Sequence, residues 1–193
     1  MEHVLPIRMI DMTKSAFILG SKAGDQVLNL LRSSVSGANK TIEISLEKMT
    51  GFDACFARNG AASFAKLYTK EIGTVITNVG NEDILENLIY GFKAKQMPLI
   101  IKNEDGTGSI YADVNSGSSE VLSFVYSRNE TSTSHLAQFL DISAPNASAK
   151  LKKLYEQGYI HARKRDAITG GIEYVYTPYF ECNELKILKY FMS

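Results

Sequence analysis

The sequence predicts an α/β chain in two parts. Strands and helices alternate over residues 1–114, and a helix pair with a two-stranded ribbon lies within 115–193. Three observations predict this. Up to Val114, apolar runs suited to strands alternate with apolar stripes at helical spacing. Between Thr131 and Thr177 the pattern becomes two short helical stripes, then period-2 alternation around a Gly-Gly turn. Asn115-Ser116-Gly117-Ser118-Ser119 separates the two and reads as a small-residue linker.

The first part begins with a strand in Val4–Met12, with Pro6 at its edge, and a short strand at Phe17–Leu19. Gly20-Ser21-Lys22-Ala23-Gly24 is a turn into a helix from about Asp25, with Val27, Leu28, Leu30 and Leu31 inward. Thr41–Leu46 alternates as a strand, and Gly51–Asp53 is a loop. The next helix carries Phe56, Ala57, Ala61, Phe64, Ala65, Leu67 and Tyr68 and stops at Gly73. Val75-Ile76 is a buried strand, Asn81–Lys95 a helix, Met97–Lys102 a strand and Ser109–Val114 a last strand. Such alternation argues for a partly parallel sheet with crossover helices.

In the second part, Leu136, Ala137 and Leu140 share one face of a short helix that Ser132 or Thr133 can cap. Asp141-Ile142 breaks the period. Ser143 is the next cap, and Pro145 falls in a first turn, where its missing N–H costs little. Ala147, Leu151 and Leu154 form the buried stripe of the second helix, which Gly158 closes. A strand from Tyr159, a turn at Thr169-Gly170-Gly171 and alternating Ile172, Tyr174 and Tyr176 complete a β wing. Two helices, a tight turn and a wing make a winged helix-turn-helix, a DNA-reading module. Asn146, Ser148, Ala149 and Lys150 lie near the second helix's N-terminus, where base edges are met. Lys152, Lys153, Arg163, Lys164 and Arg165 suit phosphates. From Ser148 to Arg165 six Lys or Arg stand against one acid, Glu156. That is a local positive charge on a chain whose 21 basic and 21 acidic residues cancel.

At these residues the chain resembles MarR-like winged-helix regulators. Leu136-Ala137, Ile142-Ser143, Ala147-Ser148, Leu151, Leu154 and Gly158-Tyr159-Ile160 follow their signature over roughly 118–177. Ala149 stands where many of those proteins carry Arg or another long polar residue. Upstream, the run from Ile42 to Tyr68, the strand Gly73–Val79 and the helix Asn81–Phe92 resemble STAS-like domains, relatives of anti-sigma-factor antagonists, over roughly 15–103. In the antagonists a phosphorylatable Ser follows an Asp at a helix start. Asp53 matches the Asp, and Ala54 stands in place of the Ser. The resemblance implies a binding or dimerising domain without that phosphorylation switch.

Composition bounds the remaining classes. No run approaches the ~18 apolar residues of a membrane span, and the N-terminal residues are too polar for a secretory signal. Cys55 and Cys182 lack metal-ligand spacing and read as reduced thiols of a cytoplasmic protein. The Gly20–Gly24 turn lacks the Gly-Lys-Ser/Thr ending of a P-loop. Cys55 has no His close in sequence, Asp53 reads as a cap, and Glu82-Asp83 suits a helix dipole. Tyr174 and Tyr176 read as wing packing. Asn183–Met192 reads as an amphipathic helix through Leu185, Leu188, Phe191 and Met192. The expectation is a non-enzymatic, cytoplasmic transcription regulator without cofactor or metal, binding double-stranded DNA as a homodimer. The STAS-like domain would dimerise, sense or recruit a protein partner. The alternative is an adaptor of a partner-switching pathway whose winged helix does not read DNA.

Overall fold

The computed structural model describes residues 3–38, 40–166 and 170–190. Of the sequence readings, Thr169 in the wing turn and Phe191 and Met192 in the tail lie outside the described residues.

A mixed α/β architecture is present. The chain opens with β1 (Val4–Arg8), α1 (Met9–Thr13), β2 (Phe17–Ile18), α2 (Ser21–Ser34) and β3 (Thr41–Ser45). Then come β4 (Gly51–Phe52), α3 (Ala54–Ala57), a π-helical turn (Arg58–Ala62), α4 (Ser63–Leu67), β5 (Gly73–Thr77) and α5 (Glu82–Ala94). β6 (Leu99–Lys102), β7 (Gly108–Tyr111) and α6 (Ser116–Tyr126) lead into the winged module. That module consists of β8 (Thr131–Ser132), α7 (Thr133–Leu140), α8 (Ala144–Glu156), β9 (His161–Asp166) and β10 (Ile172–Thr177), and β11 (Leu185–Leu188) follows it.

The main sheet runs β1-β3-β5-β6-β7-β11. Its first four strands are parallel and in chain order, β7 is antiparallel to β6, and β11 is parallel to β7. Parallel neighbours require crossovers, which α2, the α3–α4 helix and α5 supply. Sheets of this kind are covered by helices, which is why Ile42, Ile44, Val75, Ile76 and Leu99 are fully buried and read as continuous apolar runs. Thr41 and Gly73 are direct partners across β3 and β5 and so share one face. The Tyr179 ring lies there, so close that a Cβ at Gly73 would stand 2.7 Å from it. The segment that follows β10 is thereby seated on the sheet.

Several details depart from the sequence reading. The strand read over Val4–Met12 ends at Arg8, and Met9–Thr13 form helix α1. The first long helix starts at Ser21 rather than Asp25, and Leu30 on it is exposed rather than inward. Gly51-Phe52 is not a loop but a strand paired with β2. The supposed linker is the start of α6: the Asn115 side chain accepts the Ser118 N–H at 2.8 Å, an N-cap that the small polar run conceals. The predicted tail helix is strand β11, because Leu185 to Leu188 pair with Gly108 to Tyr111 and fill an edge that β7 would otherwise leave open. Residues of the C-terminal part thus complete the sheet of the N-terminal part.

Candidate nucleic-acid interface

α7 and α8 form where the apolar spacing places them. Ser132 caps α7 by accepting the His135 N–H at 3.2 Å. Asp141 takes a left-handed conformation that ends α7, and Ser143 stands at the N-cap of α8 without a side-chain bond. Gly158, at φ +80°, closes α8, and the next N–H, of Tyr159, bonds back to the Leu154 carbonyl at 3.1 Å. Ala147, Leu151 and Leu154 are buried as expected, against α7 and α6.

The outer face of α8 holds Asn146, Ala149 and Lys153, with Lys152 beside them, all exposed. Ser148 is half-buried. Lys150 is exposed, and its Nζ lies 3.5 Å from where a Cβ at Gly117 would stand, so the ammonium sits at the start of α6 rather than on that outer face. The structure therefore brings four of the six predicted helix residues onto one open surface.

The wing cations divide between two faces, because neighbours on a strand point opposite ways. Arg163 and Arg165 lie on one side, where both guanidiniums pair with Glu130. Arg165 also pairs with Glu173 at 2.9 Å, and Glu173 with Glu130 raises its pKa. Lys164 lies on the other side, 6.0 Å from the centre of the Tyr174 ring. Six cations against Glu156 leave five net positive charges. Adding Glu130, Asp166 and Glu173, which border the same wing, leaves two. Sequence spacing missed Glu130 because it lies 33 and 35 positions from its two partners. The local signal available was Glu173, directly opposite Arg165 across the hairpin.

The base of the module is fixed to the α/β part. The Tyr155 hydroxyl donates to the Lys70 carbonyl at 3.1 Å. His161 Nε2 lies 2.9 Å from Thr41 Oγ1, and its ring packs on Tyr179 at 4.5 Å. Burial, helped by nearby Lys40, pushes the His161 pKa down to about 4, so the imidazole is neutral.

The other candidates divide between packing and exposed surface. Asp53 caps the α3–α4 helix, accepting the Phe56 N–H at 2.8 Å and the Gly20 N–H at about 3 Å, and so ties two loops together. Gly24 is buried inside α2 against the Phe56 carbonyl, a packing role for the Gly-rich turn. Cys55 is exposed. Tyr176 is buried, whereas Tyr174 is exposed on the wing. Among the described residues no cluster of three His, Cys, Asp or Glu has metal-binding geometry, and no helix is long and apolar enough to cross a membrane. Comparison with protein-family models, curated proteins and solved structures gives no match.

Proposed function

We propose that this chain is a cytoplasmic, DNA-binding transcription regulator that places α8 in the major groove as a homodimer. The carrying observation is the open face of α8, where Asn146, Ala149, Lys152 and Lys153 are exposed on the side away from the buried stripe of Ala147, Leu151 and Leu154. Asn146 offers an amide that pairs with an adenine edge, and the two lysines offer phosphate contacts. A STAS-like role for the α/β part in dimerisation, sensing or partner binding is supported by its chain-ordered parallel strands and by Asp53 at a helix start. Ala54, where the antagonists carry Ser, leaves that helix start without a phosphorylatable hydroxyl.

The test is binding of the full chain to fragments of its own upstream region at ~50 and ~200 mM salt with competitor DNA. One competitor-resistant shift is expected. Replacing Lys152 and Lys153 with Ala should weaken binding to every sequence and reduce the salt slope by about two, one for each lost phosphate contact. Absence of binding at ~50 mM salt would overturn the reading. The engagement of Arg163 and Arg165 by Glu130 and Glu173 favours a second reading, a protein-interaction adaptor, since two carboxylates offset two of the three wing cations. Glu130→Gln separates the two. It should strengthen DNA binding if the wing meets phosphates, and it should leave an adaptor inert toward DNA.

A further inference from the structure

A cleft of about 780 Å³ opens between the loop after α2, the turn before β5 and wing strand β9. This volume lies within the range of small-ligand pockets. Arg32, Lys40, Lys70 and Arg163 line it, and Glu71 is the one carboxylate residue among its lining groups. Arg163 is balanced by Glu130. Arg32, Lys40 and Lys70 have no ion-pair partner among the described residues. Three cations against Glu71 leave two uncompensated positive charges in a concave space with low-dielectric walls, which focuses the field on its interior. Val35, Ile72 and Tyr68 supply an apolar and aromatic surface beside them. The Tyr155 hydroxyl bonds the Lys70 backbone carbonyl, and Lys40 lies close enough to His161 to act on its titration. Arg32, Lys40 and Lys70 thus line the α/β side of the junction and face wing strand β9.

We propose that this cleft binds a small organic anion of about two negative charges, a phosphate monoester or a polycarboxylate, at the junction of the α/β part and the wing. The charge follows from the two uncompensated cations, the organic body from the apolar surface, and the size from the cavity. Bound there, the anion bridges Arg32 and Lys40 of one part to the wing base, and it stabilises the junction by mass action. The inference does not depend on α8 reading DNA.

Titration calorimetry of the full chain at ~50 mM salt tests it, with adenosine 5′-monophosphate and citrate as probes and adenosine as the uncharged control. Binding of one anion at a Kd below ~1 mM is expected, and which one binds distinguishes the phosphate source from the carboxylate source. Lys40→Ala and Arg32→Ala, both at exposed positions, should each weaken it about tenfold. Lys152→Ala, outside the cleft, should not change it. No heat from either anion up to ~10 mM overturns the proposal, as does binding that Lys40→Ala leaves intact. If neither anion binds and Lys40→Ala instead lowers affinity for duplex DNA, the cleft serves the DNA backbone and the small-anion proposal is wrong. A protein that binds an anion yet no DNA would retain this site and lose the regulator reading.

Discussion

His161 is where one residue's chemistry bears on the stability of the junction. Its ring is confined between Thr41 and Tyr179, with the Lys40 charge nearby. The folded chain therefore keeps the imidazole neutral down to about pH 4, whereas the unfolded chain protonates it near 6.5. Between those values the unfolded state binds more protons, so stability is intact above pH 6.5 and is lost as pH falls toward 4. The full loss from this one group is on the order of 3 kcal/mol. Urea unfolding of the wild type and His161→Gln at pH 7.5 and 4.5 isolates the effect from the carboxylates, which titrate in both proteins. The wild type should lose about 2 kcal/mol more than the variant over that interval. Equal losses would show that His161 is not held neutral by the junction.

At the scale of elements, three crossover helices meet at the π-helical turn Arg58–Ala62 with almost no space between backbones. The Ser63 hydroxyl donates to the Arg58 carbonyl at 2.9 Å and satisfies an acceptor that the irregular turn exposes. From α2, a Cβ at Gly24 would stand 2.7 Å from the Phe56 carbonyl oxygen. From α5, a Cβ at Gly91 would stand 2.7 Å from the Arg58 nitrogen. Both obstacles are backbone, which cannot rotate away. Gly91→Ala gains about 1 kcal/mol in helix propensity and meets an overpacking cost of roughly 1–3 kcal/mol. A net loss of about 1 kcal/mol in denaturant unfolding is expected. Gly37→Ala, where a Cβ meets nothing within 4 Å, should be close to neutral. If the two variants were equally stable, close packing at the π turn would not be what places glycine there. Such contacts lie beyond local sequence patterns. The stripes Leu136/Leu140 and Ala147/Leu151/Leu154 announce α7 and α8 because each helix buries a single face. α6 escapes notice because its first turn is Ser-Gly-Ser-Ser and its end, Val121–Tyr126, is buried almost all round, which blurs the period. The same limit applies to the site: the lysines of α8 are legible in the sequence, but the carboxylate that engages both wing arginines arrives from another element.

For the whole molecule, the consequential element is the one whose sequence is most ambiguous. Leu185, Ile187 and Leu188 fit both a period of two and a helical stripe. The choice is made by β7, whose edge groups need partners that only tertiary structure supplies. The Gly108 N–H bonds to the Glu184 carbonyl at 2.8 Å, the Ala112 N–H to that of Leu188 at 2.9 Å, and the Tyr190 hydroxyl donates to the Met97 carbonyl. The winged module therefore leaves the sheet after β7 and returns to it at β11, alongside the strand it left. An element anchored at both ends, and also tied through Tyr155, His161 and Tyr179, has little freedom to unfold alone. Scanning calorimetry should then show one transition, with calorimetric and van't Hoff enthalpies equal. A fragment of residues 1–114 keeps β7 but lacks β11. It should melt well below the full chain and aggregate through the uncovered edge. Two resolved transitions in the full chain, or a fragment as stable as the whole, would show that the parts are independent units and that β11 contributes little to joining them.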